Sequence, residues 1–467
     1  MRHTKISFAF VMMVSMLIST GARGAAVQPY DARIVSATLK VFTDEKLPGR
    51  QAAIYEMKSA RNEFAPFQVA LNAARDVRNA SVAVGDLVSV NGGKIRASAS
   101  ALYLAETVTI ETASNGEERK VWPDPLPPYH IFDVPAGQTR SVWVDLFIPR
   151  DAKPGVYSGP VTVSADGVPK IELKISVDVR EPVIPDKPSL STAFGISYGS
   201  IRAAHKVEKD GPEAAKLGDA YYWMLVNHRL SPYGCPVDFF SPEANRYYDD
   251  PRVTSFRAPY TENDEEMRKI ADRIKSAGWI NKAVFYVRDE PTLQELPEVT
   301  RIGRRIHSFL PDARYLITTA PNPPLDYTQI QIWCPVIQFL VDPIRMKTLM
   351  GEQKKGKDFW WYTCIGPKWK GTTYFIDEAA TAPRQHPWMN FLYGVSGILY
   401  WETTSWGRAN EDPWTTTMTY PGGNGDGSLL YPGSHVGYDG PVASIRIKML
   451  REGMEDYELL TLLGKRL

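Results

Sequence analysis

The pattern of apolar and polar positions divides the chain into two parts. From residue 32 to about residue 179 it consists of short strand-type runs separated by turns, and the runs at 155–165 and 171–179 alternate apolar and polar residues on either side of an Asp166-Gly167 turn. Stretches with helical periodicity are scarce there. This pattern predicts an all-β sandwich domain over residues 30–182, followed by a Pro-rich, charged linker at 180–190.

From residue 190 onward, strand-like apolar runs alternate with helical patterns. The strand-like runs are residues 191–197, 283–287, 315–319, 330–335, 359–364 and 397–401, and weaker runs at 225–232 and 235–240 are candidates for two further strands. Such alternation predicts an α/β domain of the TIM-like (β/α)₈ barrel type over residues 190–467, and therefore a multidomain chain. A helix is predicted at 441–463, where Glu455 and Asp456 are expected to form a solvated or bridging face.

The segment 282–292, KAVFYVRDEPT, ends a buried-type strand in two adjacent acids. Its apolar run stops at Asp289 and Glu290, and Pro291 prevents the strand ladder from continuing. If the weaker runs are counted, this is the fourth barrel strand. Because TIM-barrel enzymes place their chemistry at the carboxyl ends of the strands, we expect the active site here.

Two consecutive residues of a regular strand point to opposite faces, so both acids reach one pocket only if the backbone leaves the extended conformation. Pro291 provides a break of that kind. The alternative is that Asp289 and Glu290 begin the following helix, whose dipole favours negative charge. Arg288 is expected to hold Asp289 ionised.

Composition and charge narrow the function classes. Hydrophobic residues make up 43% of the chain and the formal net charge is +1, so neither disorder nor attraction to nucleic acid or an anionic membrane is indicated. The three cysteines, Cys235, Cys334 and Cys364, give no disulfide framework and are expected to be free thiols. Without a CxxC or HExxH motif, no metal site and no cofactor are expected.

Residues 1–26 have the features of a signal peptide. Arg2, His3 and Lys5 precede an apolar run at 6–18, and small residues follow near Ala22. The run is shorter than the roughly 20 residues that span a bilayer. We therefore expect export to the periplasm or the medium, with no membrane span in the mature chain.

Motifs along nearly the whole mature chain resemble glycoside hydrolase family 123 and its relatives of unassigned function. They are SARNEFAPFQVAL (59–71), WPDPLPPY (122–129), VWVDLFIPRDAKPGVYSGPVTV (142–163), NHRLSPYG (227–234), FYVRDEP (285–291), IWCP (332–335), GILYWETTSW (397–406) and the stretch from GDGSLLYPG to REGMEDYELL (425–460). The resemblance implies a β-sandwich followed by a catalytic barrel. It further implies an exo-acting β-N-acetylgalactosaminidase that works by substrate-assisted retention.

By that resemblance Glu290 is the acid/base, and Asp289 orients and stabilises the 2-acetamido group of the sugar. The residues themselves agree with this assignment, since glycoside cleavage needs a proton donor and a stabiliser of positive charge. An apolar, aromatic setting and a neighbouring carboxylate raise the pKa of the donor. The expected partner is a glycan or glycoconjugate.

Glu402 is an alternative second carboxylate, because it follows the strand-like run 397–401 directly. A conventional retaining glycosidase would use it as nucleophile, with Glu290 as acid, on a sugar without the acetamido group. Binding to sugar hydroxyls or a structural ion pair is the preferred role for Glu402. A third hypothesis, from another class, is a glycan-binding surface protein without catalysis.

Aromatic residues at or beyond strand ends are candidates for a sugar-stacking floor, although core packing explains each of them equally well. They are Trp333, Trp361, Tyr362, Trp401 and Trp406. Position alone adds four further substrate-binding candidates, Tyr198, Arg229, Tyr233 and Asn322. His228 is expected to be structural, and Asp426, in the Gly-rich loop 422–427, is a candidate for the pocket rim.

Overall fold

A computed structural model describes residues 29–47, 52–115, 118–321, 328–366, 368, 371–406 and 411–467. The predicted signal peptide and Asn322 lie outside these residues. The first part of the chain is all-β. Its strands are β1 (Tyr30–Ser36), β2 (Tyr55–Arg61), β3 (Glu63–Ala73), β4 (Val77–Val84), β5 (Leu87–Ser89), β6 (Lys94–Ile95), β7 (Ser100–Leu104), β8 (Thr107–Thr109), β9 (Val121–Pro123), β10 (Pro125–Leu126), β11 (Phe132–Val134), β12 (Thr139–Ile148), β13 (Gly155–Ser164) and β14 (Ile171–Val183).

Two sheets form the sandwich. One has the order β1-β3-β12-β7, and the other has the order β11-β4-β13-β14-β2 with β5 beside β13. Alternate residues of β13 and β14 are buried between the sheets, among them Val161 and Ile175, which pack with Phe67 and Val144 of the opposite sheet. The alternation in the sequence is therefore the inside–outside pattern of a two-layer β structure.

The second part of the chain contains a seven-stranded parallel sheet with the order β15-β21-β20-β19-β18-β17-β16. Its strands are β15 (Ser191–Phe194), β16 (Phe256–Arg257), β17 (Ala283–Tyr286), β18 (Arg314–Ile317), β19 (Ile332–Trp333), β20 (Asp358–Thr363) and β21 (Gly397–Tyr400). Along β20, Trp360 and Tyr362 face the interior of this sheet, whereas Phe359 and Trp361 face the surrounding helices.

The helices are α1 (Tyr198–His205), α2 (Pro212–Asn227), α3 (Asn245–Tyr248), α4 (Asp264–Ser276), α5 (Leu296–Phe309), α6 (Pro343–Lys354), α7 (Thr381–Tyr393) and α8 (Ile445–Gly464). Short 3₁₀ turns lie at Ala97–Ala99, Pro242–Ala244, Leu293–Glu295, Ile337–Val341 and Gly433–Val436. Two further strands, β22 (Leu430–Pro432) and β23 (Pro441–Ser444), form a small antiparallel sheet with β10 of the sandwich.

An irregular segment nearly closes the sheet into a barrel. Ser231 O accepts a hydrogen bond from Phe194 N at 2.9 Å, Tyr233 N donates to Phe194 O at 2.7 Å, and Arg257 N donates to Tyr233 O at 2.7 Å. This segment therefore lies between β15 and β16, in the place of an eighth strand. The predicted eight-strand repeat is present only in part among the described residues: most of 225–232 belongs to α2 or to this segment, and 235–240 is not a strand.

Helix α8 lies between the sandwich and the barrel, and of the two alternatives predicted for Glu455 and Asp456 the structure shows the bridging face and not the solvated one. These side chains are only 3% and 8% exposed. Asp456 bridges to Arg384 at 2.6 Å, and Glu455 accepts a hydrogen bond from Phe64 N of the sandwich at 3.4 Å. The helix is buried on both sides by separate layers, so its charged residues bridge elements instead of facing water.

The interface is fixed by a buried charge cluster. Asp145 of β12 accepts hydrogen bonds from Lys448 Nζ at 2.7 Å and from Arg451 Nη1 and Nη2 at 3.0 and 2.9 Å, both on α8. Burial by itself would raise the pKa of Asp145, but the charges of Arg451 and Lys448 outweigh it and hold that pKa well below its usual range. The sandwich carboxylate is therefore ionised when it binds the barrel helix.

We predict that Asp145→Ala lowers the free energy of unfolding by about 3–5 kcal/mol, because it leaves the buried Lys448 without its carboxylate and leaves Arg451 with Glu452 as its remaining ion-pair partner. Asp133→Ala is the matched control: it breaks the exposed pair with Arg78 and should change that free energy far less than Asp145→Ala does, because solvent screens an exposed pair. Denaturant unfolding measures both. Equal losses in the two variants would contradict the buried-cluster assignment.

The Asp145 cluster also predicts how the free energy of unfolding changes with pH. Because folding lowers the pKa of Asp145, its stabilisation is complete above the unfolded value of about 4 and is lost as pH falls toward the folded value. The stability difference between the native chain and Asp145→Ala should thus be largest near neutral pH and shrink on acidification. A gap that widens below pH about 4 would contradict this sign.

Candidate active site

The backbone turns sharply after β17. The strand ends at Tyr286, and Glu290 adopts a left-handed conformation with φ of +42°. A side chain larger than glycine is uncommon there, since its Cβ crowds the neighbouring carbonyl. The chain thus leaves the extended conformation between the two acids, as Pro291 indicated, and consecutive side chains need not point to opposite faces.

One hydroxyl group links the two acids. Thr318, the first residue after β18, donates from Oγ1 to Asp289 Oδ1 at 2.8 Å and accepts a hydrogen bond from Glu290 N at 2.6 Å. Tyr286 Oη donates to the same Asp289 oxygen at 2.5 Å. Asp289 is therefore held on one oxygen by the ends of two neighbouring strands, and its second oxygen is left for other partners.

Glu290 reaches across the barrel mouth. Its Oε1 accepts a hydrogen bond from the hydroxyl of Tyr362 on β20. Tyr362 and Tyr286 both belong to the interior layer of the barrel, together with Trp360 and Cys334. Both carboxylates therefore lie over the same interior layer, at the carboxyl ends of the strands.

Burial keeps the tyrosines of this layer protonated. Burial raises the pKa of Tyr362, and the hydrogen bond to Glu290 raises it further; the pKa of Tyr286 rises for the same two reasons, with Asp289 as the partner. Each phenol consequently remains a hydrogen-bond donor to its carboxylate over the physiological pH range.

The following helix does not use the acidic pair as its cap. Thr292 and Glu295 form a reciprocal capping box, with Thr292 N and Thr292 Oγ1 donating to Glu295 Oε2 at 2.9 and 2.8 Å. Arg288 lies 3.7 Å from Glu298, so the expected ion pair with Asp289 is replaced by one with the next helix. The two acids are thus free of the helix start.

Glu402 is anchored by its own loop. Its Oε1 accepts hydrogen bonds from Thr403 N at 2.8 Å, Thr404 N at 3.0 Å and Thr404 Oγ1 at 3.1 Å. Burial raises the pKa of Glu402, and these hydrogen bonds oppose the rise. Three donors on one oxygen fit a positioned, structural carboxylate better than a free nucleophile.

Tyr233 and Tyr362 are the predicted substrate-binding residues that lie near the pair, and Trp401 follows β21 at the same edge of the sheet. The Tyr233 ring is 6.2 Å from that of Tyr286, and no described residue pairs with its buried hydroxyl. Trp401 Nε1 donates at 2.9 Å to Asp426, which is 1% exposed and whose pKa burial raises to about 6.

Five other predicted substrate-binding residues lie elsewhere. Trp333 and Trp361 pack against the helices, and Trp361 Nε1 donates to Asn390 Oδ1 at 2.9 Å. Neighbours on a strand alternate between faces, so position at a strand end does not determine which face a side chain takes. Trp406 packs on Tyr221, with its Nε1 bonded to Leu430 O at 3.0 Å.

Tyr198 and Arg229 are likewise away from the acids. Tyr198 Oη donates to Gly234 O at 2.9 Å, and Arg229 Nη2 donates at 2.8 Å to Pro185 O of the linker. Arg229 precedes the segment that closes the barrel, so it lies at the amino end of the strands. Asn322 is outside the described residues.

Tyr286 and Thr318 are site residues that the sequence analysis did not single out. Tyr286 is the last residue of β17, and Thr318 is the first residue beyond the neighbouring strand β18. The available signal was therefore their position: polar hydroxyls at the ends of adjacent parallel strands meet at one rim. The three cysteines are free thiols, as predicted.

Within the described ranges, no group of three or more His, Cys, Asp and Glu side chains is placed to hold a metal ion. Over the same residues, every helix is too short or too polar to cross a membrane.

Comparisons with known proteins agree on one family. Residues 226–463 match the family model described as Glycoside hydrolase 123, catalytic domain, and residues 41–165 match Glycoside hydrolase 123 N-terminal domain. No curated protein sequence matches significantly. A solved family 123 glycoside hydrolase from Clostridium perfringens, described for glycolipid glycan hydrolysis, superposes with a TM-score of 0.75 at 15% identity, covering 94% of this chain and 89% of that one.

A family 5 xyloglucanase from Bacteroides ovatus, solved with a XXXG heptasaccharide, covers 86% of this chain and 98% of its own at 7% identity. Its TM-score is 0.26, which is too low to support an argument about fold or function.

Because the backbone at Glu290 is left-handed, glycine should be more stable than alanine at this position, which reverses the usual order within a helix. Glu290→Gly should be more stable than Glu290→Ala by about 1 kcal/mol, because glycine accepts a positive φ without crowding. Glu298, within α5, is the control: there the glycine variant should be less stable than the alanine variant by about 1 kcal/mol. Thermal or denaturant unfolding gives the four values, and the same order at both positions would contradict the prediction.

Proposed function

Since the chain belongs to glycoside hydrolase family 123 and is a glycoside hydrolase, we propose that it removes terminal β-linked 2-acetamido sugars with retention, by substrate-assisted catalysis. The observation that supports this most is the arrangement of Asp289 and Glu290. They are consecutive, they lie over one interior layer, and different partners hold them.

Glu290 is the proposed acid/base. In its protonated form it donates to the glycosidic oxygen while Tyr362 supports its other oxygen. The Tyr362 bond fixes the direction of the carboxyl group, which matters because the same residue must later take a proton from water.

Asp289 is the proposed partner of the acetamido N–H. Tyr286 and Thr318 occupy Oδ1, so Oδ2 remains to accept the amide hydrogen. Such a bond turns the acetamido carbonyl oxygen toward the anomeric carbon and stabilises the positive charge that develops on the amide. In the first step the carbonyl oxygen bonds to that carbon as the glycosidic bond breaks, and the leaving oxygen takes the Glu290 proton.

The second step reverses these roles. Water gives its proton to the Glu290 carboxylate and attacks the anomeric carbon of the oxazoline-type intermediate. The bond between that carbon and the acetamido oxygen breaks, which restores the acetamido group, and the sugar leaves with its original β configuration. Tyr233, whose buried hydroxyl has no partner among the residues described, is the proposed contact for a sugar hydroxyl. Trp401, fixed by Asp426, is the proposed stacking surface.

We further propose that the natural substrate is a glycoconjugate outside the cytoplasm. The Clostridium perfringens relative is described as acting on glycolipid glycans. The signal-peptide features of residues 1–26 support export, which would bring the chain to substrates of this kind.

Glu290→Gln should lower kcat/KM about 10²–10⁴-fold on aryl β-N-acetylgalactosaminides whose leaving group is a poor one. The loss should be much smaller with a dinitrophenyl leaving group, which departs without protonation. Glu295→Gln, a nearby exposed acid in the capping box, serves as the control and should keep nearly full activity. Unchanged hydrolysis by Glu290→Gln would overturn the acid/base assignment, whereas glycan binding without hydrolysis by the native chain and the variant alike would favour the glycan-binding hypothesis.

A thiazoline analogue of the cyclic intermediate should inhibit competitively, and Asp289→Asn should weaken that inhibition because the amide no longer supplies a negative charge. Inhibition constants measured for the native chain and the variant test this. The rival mechanism gives a different result: no inhibition by the thiazoline, together with covalent labelling of Glu402 by a fluorosugar, would establish Glu402 as nucleophile.

A further inference from the structure

A second cavity, of about 520 Å³, lies between the sandwich and the barrel. We call it the interdomain cleft. Aromatic side chains from both domains line it, and they are Phe64, Tyr103, Phe147, Trp223 and Tyr438. Its polar wall includes His228, Arg229 and the Asp145 cluster with α8.

The interdomain cleft is separate from the acidic pair. His228 and Arg229 immediately precede the segment that pairs in parallel with β15, so they lie at the amino end of the barrel strands. Glu290 follows the carboxyl end of β17. A ligand in the cleft is therefore at the opposite end of the barrel from the proposed catalytic site.

Two buried polar atoms of the cleft lack partners within the described part of the chain. His228 is 4% exposed, and its Nδ1 donates to Met224 O at 2.7 Å, which makes Nε2 a hydrogen-bond acceptor. Burial lowers the pKa of His228 and keeps the ring neutral. Arg229 Nε is a donor without a partner, although Nη2 of the same side chain is bonded to Pro185 O.

The charges around these atoms are already compensated. Lys448 and Arg451 share Asp145, Arg252 is bound to Asp250 at 2.8 Å, and Arg229 Nη2 lies 3.7 Å from Glu458 Oε1. An anion would therefore find no unpaired cation. The open positions are one acceptor and one donor beside aromatic surface, of which Tyr438 is 41% exposed. Hydroxyl groups both donate and accept, so they match this combination.

We propose that the interdomain cleft binds a neutral saccharide unit as a second, non-catalytic glycan site. Sugar hydroxyls donate to His228 Nε2 and accept from Arg229 Nε–H, and the apolar face of the ring packs on Tyr438 or Trp223. Because the two sites lie at opposite ends of one barrel, a glycan held in the cleft keeps the enzyme near a surface rich in further glycans.

The test uses the full chain carrying Glu290→Gln, so that no probe is consumed. Methyl β-galactoside, methyl β-glucoside and methyl β-N-acetylgalactosaminide are titrated while amide hydrogen exchange is followed in peptides covering residues 223–230. We expect saturable protection there. Tyr438→Ala should weaken it roughly 3- to 10-fold, and Arg229→Lys, which keeps the charge but loses Nε–H, about 10-fold.

Tyr393→Ala is the matched control, since Tyr393 is also 41% exposed but lies on α7. It should leave the protection unchanged. Unfolding midpoints of all variants separate loss of binding from loss of fold. Sulfate and glucuronate are titrated alongside as anionic probes. The proposal is overturned if no neutral probe protects residues 223–230, if Tyr438→Ala and Tyr393→Ala behave alike, or if only the anions protect. Hydrolysis is silent in this experiment, so its outcome is independent of the proposed reaction.

Discussion

Two consecutive residues can present their carboxylates to one cavity only if the chain turns between them, and this constraint shapes the whole rim around β17. The left-handed backbone at Glu290 provides the turn, at a cost of about 1–2 kcal/mol for a side chain of this kind. Thr318 offsets that cost by bonding to Asp289 and to the Glu290 amide at once. The neighbouring strand thus holds in place a conformation that the sequence alone disfavours.

The interior tyrosines give the two acids different surroundings. Asp289 receives two hydroxyl donors on one oxygen, whereas Glu290 receives one donor from across the barrel. This asymmetry is what a reaction with one anionic stabiliser and one proton donor needs, and it arises from which strand each tyrosine occupies.

Much of the architecture was accessible from the sequence because it depends on local periodicity. Alternation along β13 and β14 predicted a two-layer β domain, and the apolar run ending at Asp289 predicted a barrel strand with the two acids beyond its carboxyl end. The closing segment 231–233 was not predictable as such, since its pairing with β15 and β16 is irregular and long-range. Trp333 and Trp361 were predicted to line the pocket, but they pack against the helices. A position at the end of a strand places a residue at that edge of the sheet, but it does not determine whether the side chain points into the barrel or toward the helices.

The burial of Glu455 and Asp456 was missed for a related reason. A charged amphipathic pattern indicates a solvated helix face, whereas here a second domain covers α8 and supplies partners for its charges. Tertiary pairing across about 300 residues of chain, as between Asp145 and Arg451, leaves no local trace. Thr318 was not predictable for the same reason, because it follows one strand and its hydrogen-bond partners, Asp289 and Glu290, follow another.

The position of α8 also determines where the chain can be divided into fragments. Side chains of α8 contact the sandwich as well as the barrel. A gene fragment that ends before residue 190 would therefore lack the cations that neutralise Asp145. A fragment beginning there would expose Lys448 and Arg451 as an unshielded basic stripe. Dividing the chain at residue 190 therefore separates Asp145 from both of its cationic partners, so the two fragments are expected to be recovered folded only when they are produced together.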